Sequence, residues 1–319
     1  MKIAFFGVKA SELDYLQANM ATALAGHQVS IYNECLMPGG IPTKATDTEA
    51  ISIFVACVAD KHVLDSLPNL KLILARSTGY DNIDLAECKN RGIIVCNVPS
   101  YGEHTVAEYT FALILTLSRN IYEAVREVQD ADRFARDERR TIGFDLYNKT
   151  LGVIGTGRIG EHVIKIAKGF GMNVVAHDVY KKDELAKELD FSYVQLDELL
   201  GTSDIVTLHV PYMKETHHLM NTESFSKLKR GAYLINTSRG GVVDTTALIE
   251  VLMSERLAGA GLDVLEDEHA SVDKRLLDNA RVIITPHTAF NTKEAIERIL
   301  DTTFANIKSF ASGTPQNIV

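Results

Sequence analysis

A glycine-rich turn is the first segment of the chain whose residue types and spacing suggest chemistry. Gly155, Gly157 and Gly160 have the spacing G-x-G-x-x-G between an apolar run and a helical pattern. In this setting the first glycine permits a tight turn, the second lets the backbone approach a pyrophosphate, and the third allows close helix packing. The N-terminus of the following helix adds free N–H groups and a positive dipole end. The turn therefore indicates phosphate binding, although the same spacing also occurs in purely structural turns.

A carboxylate on the next predicted strand favours the first of those two interpretations. Asp178 follows Gly160 by 18 residues and ends that strand, where a carboxylate can bond the hydroxyls of a ribose. Together, the turn and Asp178 predict a dinucleotide site. A carboxylate repels a 2′-phosphate, which favours NAD over NADP, although Lys181 and Lys182 weaken that preference.

Short apolar runs alternate with helical patterns in the first part of the chain. Continuous β-branched runs of this kind are typical of strands buried on both faces of a parallel sheet. The predicted strands cover residues 3–8, 29–32, 51–58, 72–75 and 93–95, with a helix over 13–24. These elements predict an α/β unit over about residues 1–99.

A second α/β series begins at residue 151. Its predicted strands cover residues 151–154, 173–177, 205–208, 233–235, 259–263 and 282–284. Helical patterns separate most of these strands, so the series predicts a second, doubly wound parallel sheet.

Three further segments complete the predicted domain organisation. Ser100 with Glu103 predicts a capping box for a helix to about residue 117, whose apolar side chains surround most faces and therefore indicate burial. Alternating charges between residues 126 and 140 predict a solvated helix face. The last helix, 293–310, is apolar on one face and should fold back onto the first unit. The resulting domains are 1–99 with 288–319, for the substrate, and 100–287, for NAD.

Composition excludes several other classes of protein. A chain of 319 residues has room for about two domains, and a net charge of −9 disfavours nucleic-acid or anionic-membrane surfaces, so we expect small-molecule ligands. The four cysteines contain no C-x-x-C pair and predict buried free thiols in a reducing cytoplasm, without disulfides or a metal site. No apolar run approaches the ~18 residues of a membrane span, and the N-terminal segment is typical of a strand, not of a signal peptide.

Several separate segments resemble the D-2-hydroxyacid dehydrogenase family, and the resemblance covers nearly the whole chain. They are the glycine turn and residues 76–84, 208–211, 235–241, 261–264 and 285–290. The family implies two Rossmann-like domains, each a doubly wound parallel α/β sheet, with an active-site cleft between them and NAD in the larger. It also implies a homodimer built around the long apolar helix.

The reaction of this family requires a cation for the substrate carboxylate, a proton donor or acceptor, and a carboxylate that tunes the donor. Arg239 matches the family's arginine, whose planar guanidinium can bind a carboxylate and polarise the adjacent carbonyl. The following pair, Gly240 and Gly241, suggests close approach of a ligand. His287 matches the histidine that donates the proton in reduction and accepts it in oxidation. Without these motifs, an arginine after a strand usually forms a surface ion pair. The chain has 10 histidines, and a histidine chosen without a motif is more often structural than catalytic.

Glu268 is assigned as the partner of the histidine by its offset. It follows Asp263 by five residues, as the pairing glutamate does in the family. A nearby carboxylate stabilises an imidazolium and keeps a proton available near neutral pH. Many relatives have proline directly after this glutamate, whereas this chain has His269, and Glu266 is a competing candidate.

The same matching assigns further residues to the cofactor and the substrate. The implied cofactor residues are Gly155, Gly157, Arg158, Ile159, Gly160, Asp178, His209, Val210, Pro211, Thr216, Thr237, Ser238 and Asp263. The implied substrate residues are Ser77, Thr78, Gly79, Tyr101, Arg239 and Phe290. Backbone N–H groups of the loop at residues 77–79 suit a small anion. For the two aromatic residues, plain packing is an equally good explanation.

Residues 193–200 and 287–290 resemble the D-lactate dehydrogenase branch, which implies reduction of pyruvate to D-lactate with NADH. Asn291 stands where lactate enzymes often have tyrosine, and segment 271–281 is shorter than in many of them. A dehydrogenase for glyoxylate, hydroxypyruvate, 2-ketoisocaproate or phosphoglycerate therefore remains an alternative. A hypothesis from another class is an NAD(H)-sensing binding protein on the same scaffold, which would need the glycine turn but not Arg239, Glu268 and His287.

Overall fold

The chain forms two compact units. The computed structural model describes residues 1–37, 42, 45–131, 142–268 and 270–319. One unit comprises Met1–Tyr101 with Asn291–Val319, and the other comprises Gly102–Phe290. The sequence placed the corresponding divisions after residues 99 and 287. Each unit contains one parallel sheet with helices, so the predicted α/β class is confirmed.

The first unit contains a five-stranded parallel sheet in the order β2-β1-β3-β4-β5. Its strands are β1 (Lys2–Phe5), β2 (Gln28–Ile31), β3 (Ala50–Ile53), β4 (Leu72–Ala75) and β5 (Ile94–Cys96). The first and third are shorter than their apolar runs predict, because the chain turns soon after each. Gly7 has a φ of +63° after β1, and the Cys57 N–H bonds the Phe54 carbonyl in a turn after β3.

The second unit contains a seven-stranded parallel sheet in the order β12-β11-β10-β9-β6-β7-β8. Its strands are β6 (Thr150–Ile154), β7 (Asn173–His177), β8 (Ser192–Tyr193), β9 (Ile205–Leu208), β10 (Ala232–Asn236), β11 (Leu257–Leu262) and β12 (Val282–Ile284). The sequence did not predict β8, because two residues show no periodicity. The strand order reverses at β6, which lies between β7 and β9, and sheets of this kind bind ligands outside the carboxyl ends of their strands at such a point.

The helices cover both sheets, and the last one belongs to the first unit. They are α1 (Ala10–Ala23), α2 (Lys61–Asp65), α3 (Leu85–Asn90), α4 (Glu103–Ser118), α5 (Ile121–Ala131), α6 (Arg158–Gly169), α7 (Asp183–Glu188), α8 (Leu196–Thr202), α9 (Thr222–Lys227), α10 (Thr245–Met253), α11 (Lys274–Leu277) and α12 (Lys293–Ala311). Leu300 and Phe304 of α12 share a buried cluster with Phe5 of β1. Tyr15 of α1 donates a hydrogen bond to Asp301 of α12 at 2.9 Å.

The predicted capping box at Ser100 is wrong. Gly102 occupies the N-cap of α4, and no side chain caps the helix there. The preceding residue, Tyr101, is held instead by its carbonyl, which accepts a hydrogen bond from Arg298 Nε at 2.8 Å. Helical geometry therefore begins only beyond it. The apolar side chains of α4, such as Phe111, are buried as predicted.

Other expectations concern the surface and the thiols. The predicted solvated helix face between residues 126 and 140 lies largely outside the described residues, within which α5 ends at Ala131. The four cysteines are free, with Cys57, Cys88 and Cys96 buried and Cys35 half-buried. Among the described residues, we find no helix whose length and apolar character would let it span a bilayer.

Candidate active site

The glycine turn joins β6 to α6, and two of its positions require glycine for steric reasons. Gly155 has a φ of +95°, and a Cβ there would lie 2.8 Å from the backbone of His209. A Cβ on Gly160 would lie 2.0 Å from the Gly155 carbonyl oxygen, so α6 packs directly on the end of β6. At Gly157, the N-cap of α6, an added Cβ would meet nothing within 4 Å. The turn is therefore open where the helix presents its first N–H groups, which fits the pyrophosphate of a dinucleotide.

Asp178 follows β7 and binds the glycine turn. Its Oδ2 accepts hydrogen bonds from the Thr156 N–H at 2.6 Å and from Thr156 Oγ1 at 3.0 Å. Its Oδ1 accepts a hydrogen bond from the Tyr180 N–H at 2.8 Å. Thr156 Oγ1 also bonds the Tyr193 hydroxyl at 2.8 Å. The carboxylate thus lies at the edge of the turn, where the sequence places the ribose.

The segment after β9 carries four of the implied cofactor residues, His209, Val210, Pro211 and Thr216. His209 Nε2 bonds Thr207 Oγ1 at 2.9 Å, and burial lowers the pKa of His209 to about 3, so the ring is neutral at physiological pH. Its buried Nδ1 has no hydrogen-bond partner among the described residues. An orphaned nitrogen next to the glycine turn fits a site for a polar ligand. Thr216 Oγ1 donates to the Pro211 carbonyl at 2.6 Å and closes the loop.

Arg239 lies in a tight turn after β10. Asn236 holds this turn, because its Nδ2 donates to the Arg239 carbonyl at 2.9 Å and its Oδ1 accepts from the Ser238 N–H at 3.0 Å. The Arg239 side chain is half-buried, and its Nη1 donates to the Ser238 carbonyl at 2.9 Å. A Cβ on Gly240 would lie 1.8 Å from the Leu265 carbonyl oxygen. The neighbour that requires this glycine is therefore the loop after β11.

Asp263 organises the segment after β12. Its side chain follows β11 and is 1% exposed. Oδ1 accepts hydrogen bonds from Thr285 Oγ1 at 2.6 Å and from the Thr288 N–H at 2.9 Å, and Oδ2 accepts one from the Ala289 N–H at 2.8 Å. The Asp263 carbonyl accepts from the His287 N–H at 2.8 Å. Both carboxylate oxygens of Asp263, an implied cofactor residue, thus bind the segment that carries His287.

His287 is anchored at one ring nitrogen. Its φ is +51°, a conformation uncommon for residues other than glycine, and the bonds to Asp263 hold it. Nδ1 bonds Glu268 Oε2 at 2.9 Å, with the two side chains 22% and 38% exposed. Nε2 bonds no residue in the described part of the chain. The Phe290 ring lies edge-on at 6.4 Å. A histidine held at Nδ1 with Nε2 available can transfer a proton.

Glu266, the competing carboxylate, contacts a different histidine. Its Oε1 bonds His218 Nε2, and its Oε2 accepts a hydrogen bond from the Thr245 N–H at 3.2 Å. Glu268 is therefore the carboxylate that contacts His287 in this structure.

The remaining predicted residues of the second unit also lie at strand ends. Arg158 and Ile159 form the first turn of α6, and Arg158 Nη1 lies 4.0 Å from Glu103 Oε1. Val210 follows β9, and Thr237 follows β10. Because all strands of the sheet are parallel, the predicted residues that follow them share its carboxyl edge.

The predicted substrate residues Ser77, Thr78, Gly79 and Tyr101 belong to the first unit. Ser77 Oγ donates to the Gly79 carbonyl at 2.6 Å, and Thr78 Oγ1 donates to the Val98 carbonyl at 2.9 Å. No described residue accepts a hydrogen bond from the backbone N–H groups of residues 77–79. Both hydroxyls thus bond backbone carbonyls, and the N–H groups of the loop are the donors that suit an anion.

Sequence reasoning missed the buried Arg76 that precedes this loop. Its Nε donates to Glu12 Oε1 at 3.0 Å, its Nη2 to the Phe6 carbonyl at 2.9 Å, and its Nη1 to the Ser52 carbonyl at 3.0 Å. The side chain is fully buried. An arginine at the end of an apolar run was the available signal, since a buried charge must be paired.

Two hydroxyls of α4 were also missed. Tyr109 bonds Thr288 Oγ1 at 3.1 Å, and Thr110 bonds Thr237 Oγ1 at 2.9 Å. The helix thus holds the segments after β12 and β10. The signal for this role was a pair of polar residues within an apolar helix.

Comparisons with known proteins agree on one family. Residues 111–289, more than half of the chain, match the family model "D-isomer specific 2-hydroxyacid dehydrogenase, NAD binding domain". The crystal structure of the D-lactate dehydrogenase of Aquifex aeolicus complexed with NAD and lactic acid is 40% identical, with a TM-score of 0.87 over 98% of this chain and 96% of that one. The D-lactate dehydrogenase of Escherichia coli is 35% identical over 98% of each chain. A glyoxylate reductase of Korarchaeum cryptofilum is 38% identical over 86% of this chain and 84% of that protein.

This agreement of matched residues, relatives and structures identifies the class of enzyme and its cofactor, NAD. The chain belongs to the D-2-hydroxyacid dehydrogenase family of NAD-dependent oxidoreductases.

Proposed function

We propose that the protein reduces pyruvate to D-lactate with NADH, and that Arg239, Glu268 and His287 carry the reaction. The observation that carries this proposal is the anchored histidine, with Nδ1 on Glu268 at 2.9 Å and Nε2 unbonded within the described residues. D-lactate dehydrogenases among the relatives support pyruvate, whereas the glyoxylate reductase supports a different 2-oxo acid. An NAD(H)-sensing protein would not need the anchored pair.

In the proposed reaction, each side chain has a separate task. Arg239 binds the substrate carboxylate with its guanidinium and polarises the neighbouring carbonyl. Protonated His287 donates its Nε2 proton to the carbonyl oxygen, while Glu268 stabilises the imidazolium through Nδ1. Bound NADH supplies the hydride for the carbonyl carbon. In oxidation, Nε2 accepts the proton of the substrate hydroxyl.

The proposed cofactor site is the carboxyl edge of the second sheet. The glycine turn would bind the pyrophosphate, and Asp178 the ribose hydroxyls. A 2′-phosphate would meet the negative charge of Asp178, so we expect NAD to be preferred over NADP. The backbone N–H groups of residues 77–79 would bind the substrate carboxylate. Tyr101 and Phe290 are two further proposed substrate residues.

The proposed assembly is a homodimer in the cytoplasm. Helix α5 exposes apolar side chains in the single chain, among them Tyr122, Val125 and Val128, directly after the buried helix α4. A second copy that covered them would remove this apolar surface from water. Free thiols suit a reducing compartment. Light scattering that reported a monomer at micromolar concentration would contradict the dimer.

The first test is NADH oxidation by the purified protein against a panel of 2-oxo acids. The panel includes pyruvate, glyoxylate, hydroxypyruvate and branched, aromatic and phosphorylated acids, with chiral analysis of each product. Fastest turnover of pyruvate with D-lactate as product supports the proposal. Fastest turnover of another member would overturn the substrate and keep the reaction class.

Arg239→Ala tests the chemistry separately. We expect this variant to bind NADH normally, as measured by nucleotide fluorescence, and to lose turnover. Unchanged oxidoreductase activity would overturn the assignment of Arg239. Absence of turnover in the wild type, with NADH still bound, would favour the nucleotide-sensing hypothesis.

A further inference from the structure

Two cysteines of the first unit lie against the same glycine. Cys35 follows β2, Cys57 follows β3, and Gly7 follows β1, which lies between those strands in the sheet. A Cβ added to Gly7 would lie 2.9 Å from Cys35 Sγ and 3.0 Å from Cys57 Sγ. The two thiols also interact, since each shifts the pKa of the other. Both sulfur atoms thus lie against the space that the missing side chain of Gly7 leaves.

Backbone hydrogen bonds join the segments that carry the two cysteines. The Val58 N–H donates to the Leu36 carbonyl at 2.8 Å, and the Gly7 N–H donates to the Glu34 carbonyl at 2.9 Å. Each of these bonds involves a residue next to a cysteine or the glycine between them. Neighbouring hydrogen-bonded segments lie about 5 Å apart, within the range of about 4.4–6.8 Å for the Cα atoms of a disulfide. A bond between these sulfurs requires little backbone movement.

The surroundings favour one thiolate in the pair. The hydrogen bond with Cys35 lowers the pKa of the Cys57 thiol to about 6, aided by backbone hydrogen bonds and the charge of Arg76. The same hydrogen bond, together with burial, raises the pKa of Cys35. Near neutral pH the pair therefore holds one proton between two sulfurs. A thiolate, unlike a thiol, attacks oxidants and disulfides.

The other two cysteines provide an internal comparison. Cys88 and Cys96 are buried, and burial raises the pKa of each thiol to about 11. Both remain protonated near neutral pH and are therefore inert. The chain thus contains two thiols arranged to react and two arranged not to.

We infer that Cys35 and Cys57 form a redox-active dithiol, which closes to an intramolecular disulfide on reaction with a peroxide and reopens with a thiol reductant. Cys35 is the half-buried member and meets the peroxide first. As its proton passes to Cys57, the Cys35 thiolate attacks a peroxide oxygen, the O–O bond breaks, and hydroxide leaves. Cys35 is then a sulfenic acid.

The second step forms the disulfide. The Cys57 sulfur attacks the sulfenic sulfur of Cys35, and the sulfenic oxygen leaves as water together with the Cys57 proton. The hydroxide from the first step takes up the proton that the pair released on ionising. Overall, two thiols and one hydrogen peroxide yield one disulfide and two waters, so the thiols lose the two electrons that the peroxide gains.

The bond would connect the segments after β2 and β3 across β1. These segments lie at the carboxyl edge of the first sheet, where Arg76 follows β4. Oxidation of the dithiol is measured by thiol mapping, without any assay of turnover. The inference therefore does not depend on the proposed substrate or mechanism.

The test is thiol mapping of the full-length protein after treatment with hydrogen peroxide. Remaining thiols are alkylated, and peptides are identified by mass spectrometry with and without prior reduction by dithiothreitol. We expect a peptide pair linked through Cys35 and Cys57, loss of these two thiols only, and full recovery after reduction. We expect the pair to oxidise more than about tenfold faster than Cys88 or Cys96.

Matched variants identify each sulfur. Cys57→Ser should prevent the linked peptide and slow the oxidation of Cys35, because the thiolate that accepts its proton is missing, whereas Cys88→Ser and Cys96→Ser should leave the linkage unchanged. Mapping of the wild type decides the question even if a variant does not fold. Oxidation of Cys35 to a sulfinic acid while Cys57 stays reduced would overturn the inference. Linkage only between two chains, or equal rates at all four cysteines, would also overturn it.

Discussion

The described residues of the second unit include two histidine–glutamate pairs that are closely similar in composition. His287 bonds Glu268, and His218 bonds Glu266. Both histidines have a left-handed backbone, with φ values of +51° and +49°, and all four side chains are partly exposed. Residue types, pairing and backbone conformation therefore do not distinguish them.

The pairs differ in the ring nitrogen that the glutamate contacts. Glu266 binds Nε2 of His218, at the tip of the ring, and the same ring stacks on His217 at 3.8 Å. Glu268 binds Nδ1 of His287, which leaves the tip nitrogen available. A general acid must present its proton to the substrate, so only the second arrangement suits proton transfer. The His218–Glu266 pair stabilises a loop, because the backbone N–H of His218 also donates to the Gly241 carbonyl at 2.9 Å.

The largest effect should separate the two histidines. We expect His287→Gln to reduce turnover of the fastest 2-oxo acid by about 10²- to 10⁴-fold, because the proton donor is lost. His218→Gln, the matched change, should reduce it less than about tenfold. Steady-state kinetics with NADH measure both, and NADH fluorescence checks that each variant still binds the cofactor. Comparable losses in the two variants would remove the distinction between the pairs.

Asp263→Asn should disturb the hydrogen bonds that hold the segment of the His287–Glu268 pair, and not those of the His218–Glu266 pair. An asparagine retains one acceptor oxygen, but its NH₂ group faces backbone or hydroxyl donors that the carboxylate now satisfies. With this residue 1% exposed, we expect a loss of about 1–3 kcal/mol in the free energy of unfolding. Turnover should also fall, because the segment carrying His287 loses hydrogen bonds that position it.

Asp244→Asn is the control for that change. Asp244 caps α10 by accepting a hydrogen bond from the Ala247 N–H at 3.0 Å, and asparagine is an equally good N-cap. Urea unfolding followed by circular dichroism should show a clear decrease for Asp263→Asn only. Equal stability of the two variants would mean that the buried carboxylate is not required.

The two glutamates should differ in their effect on turnover. Glu268→Gln removes the carboxylate that orients the His287 ring through Nδ1, so turnover in reduction should fall by more than about tenfold. Glu266→Gln should leave turnover nearly unchanged, because Glu266 bonds His218. The measurement is kcat and KM for reduction by each variant. A loss in Glu266→Gln but not in Glu268→Gln would reverse the assignment.

Local patterns predicted most of the fold and the positions of many candidate residues. The apolar runs located the strands that precede Asp178, Arg239 and His287, because a buried parallel strand is a contiguous apolar segment. Contacts between distant segments could not be predicted in this way. The neighbour of Gly240, for example, is the backbone of Leu265, 25 residues further along the chain.

The supporting contacts required the tertiary structure. Asp263 and Ala289 are 26 residues apart, and their hydrogen bond follows from the pairing of β11 with β12. Cys35 and Cys57 lie close together beyond the end of β1, the strand between β2 and β3. Ser100 and Glu103 had the spacing of a capping box, yet the chain remains non-helical until Gly102. Spacing along the chain indicates which residues could act, and sheet register determines which residues touch.

The smallest predicted effect concerns stability, and it tests whether the His218–Glu266 pair is structural. Burial raises the pKa of Glu266, but hydrogen bonds from His218 and Thr245 outweigh it, so the pKa lies below its ordinary value of 4.5. A depressed carboxylate pKa stabilises the fold above pH 4.5, and this stabilisation is lost as the pH falls through the folded-state value. Glu266→Gln should therefore lower the free energy of unfolding at pH 7 by less than about 1 kcal/mol, since the pair is partly exposed. The difference from wild type should disappear well below pH 4.5 in urea unfolding, and a difference that grew on acidification would contradict this role.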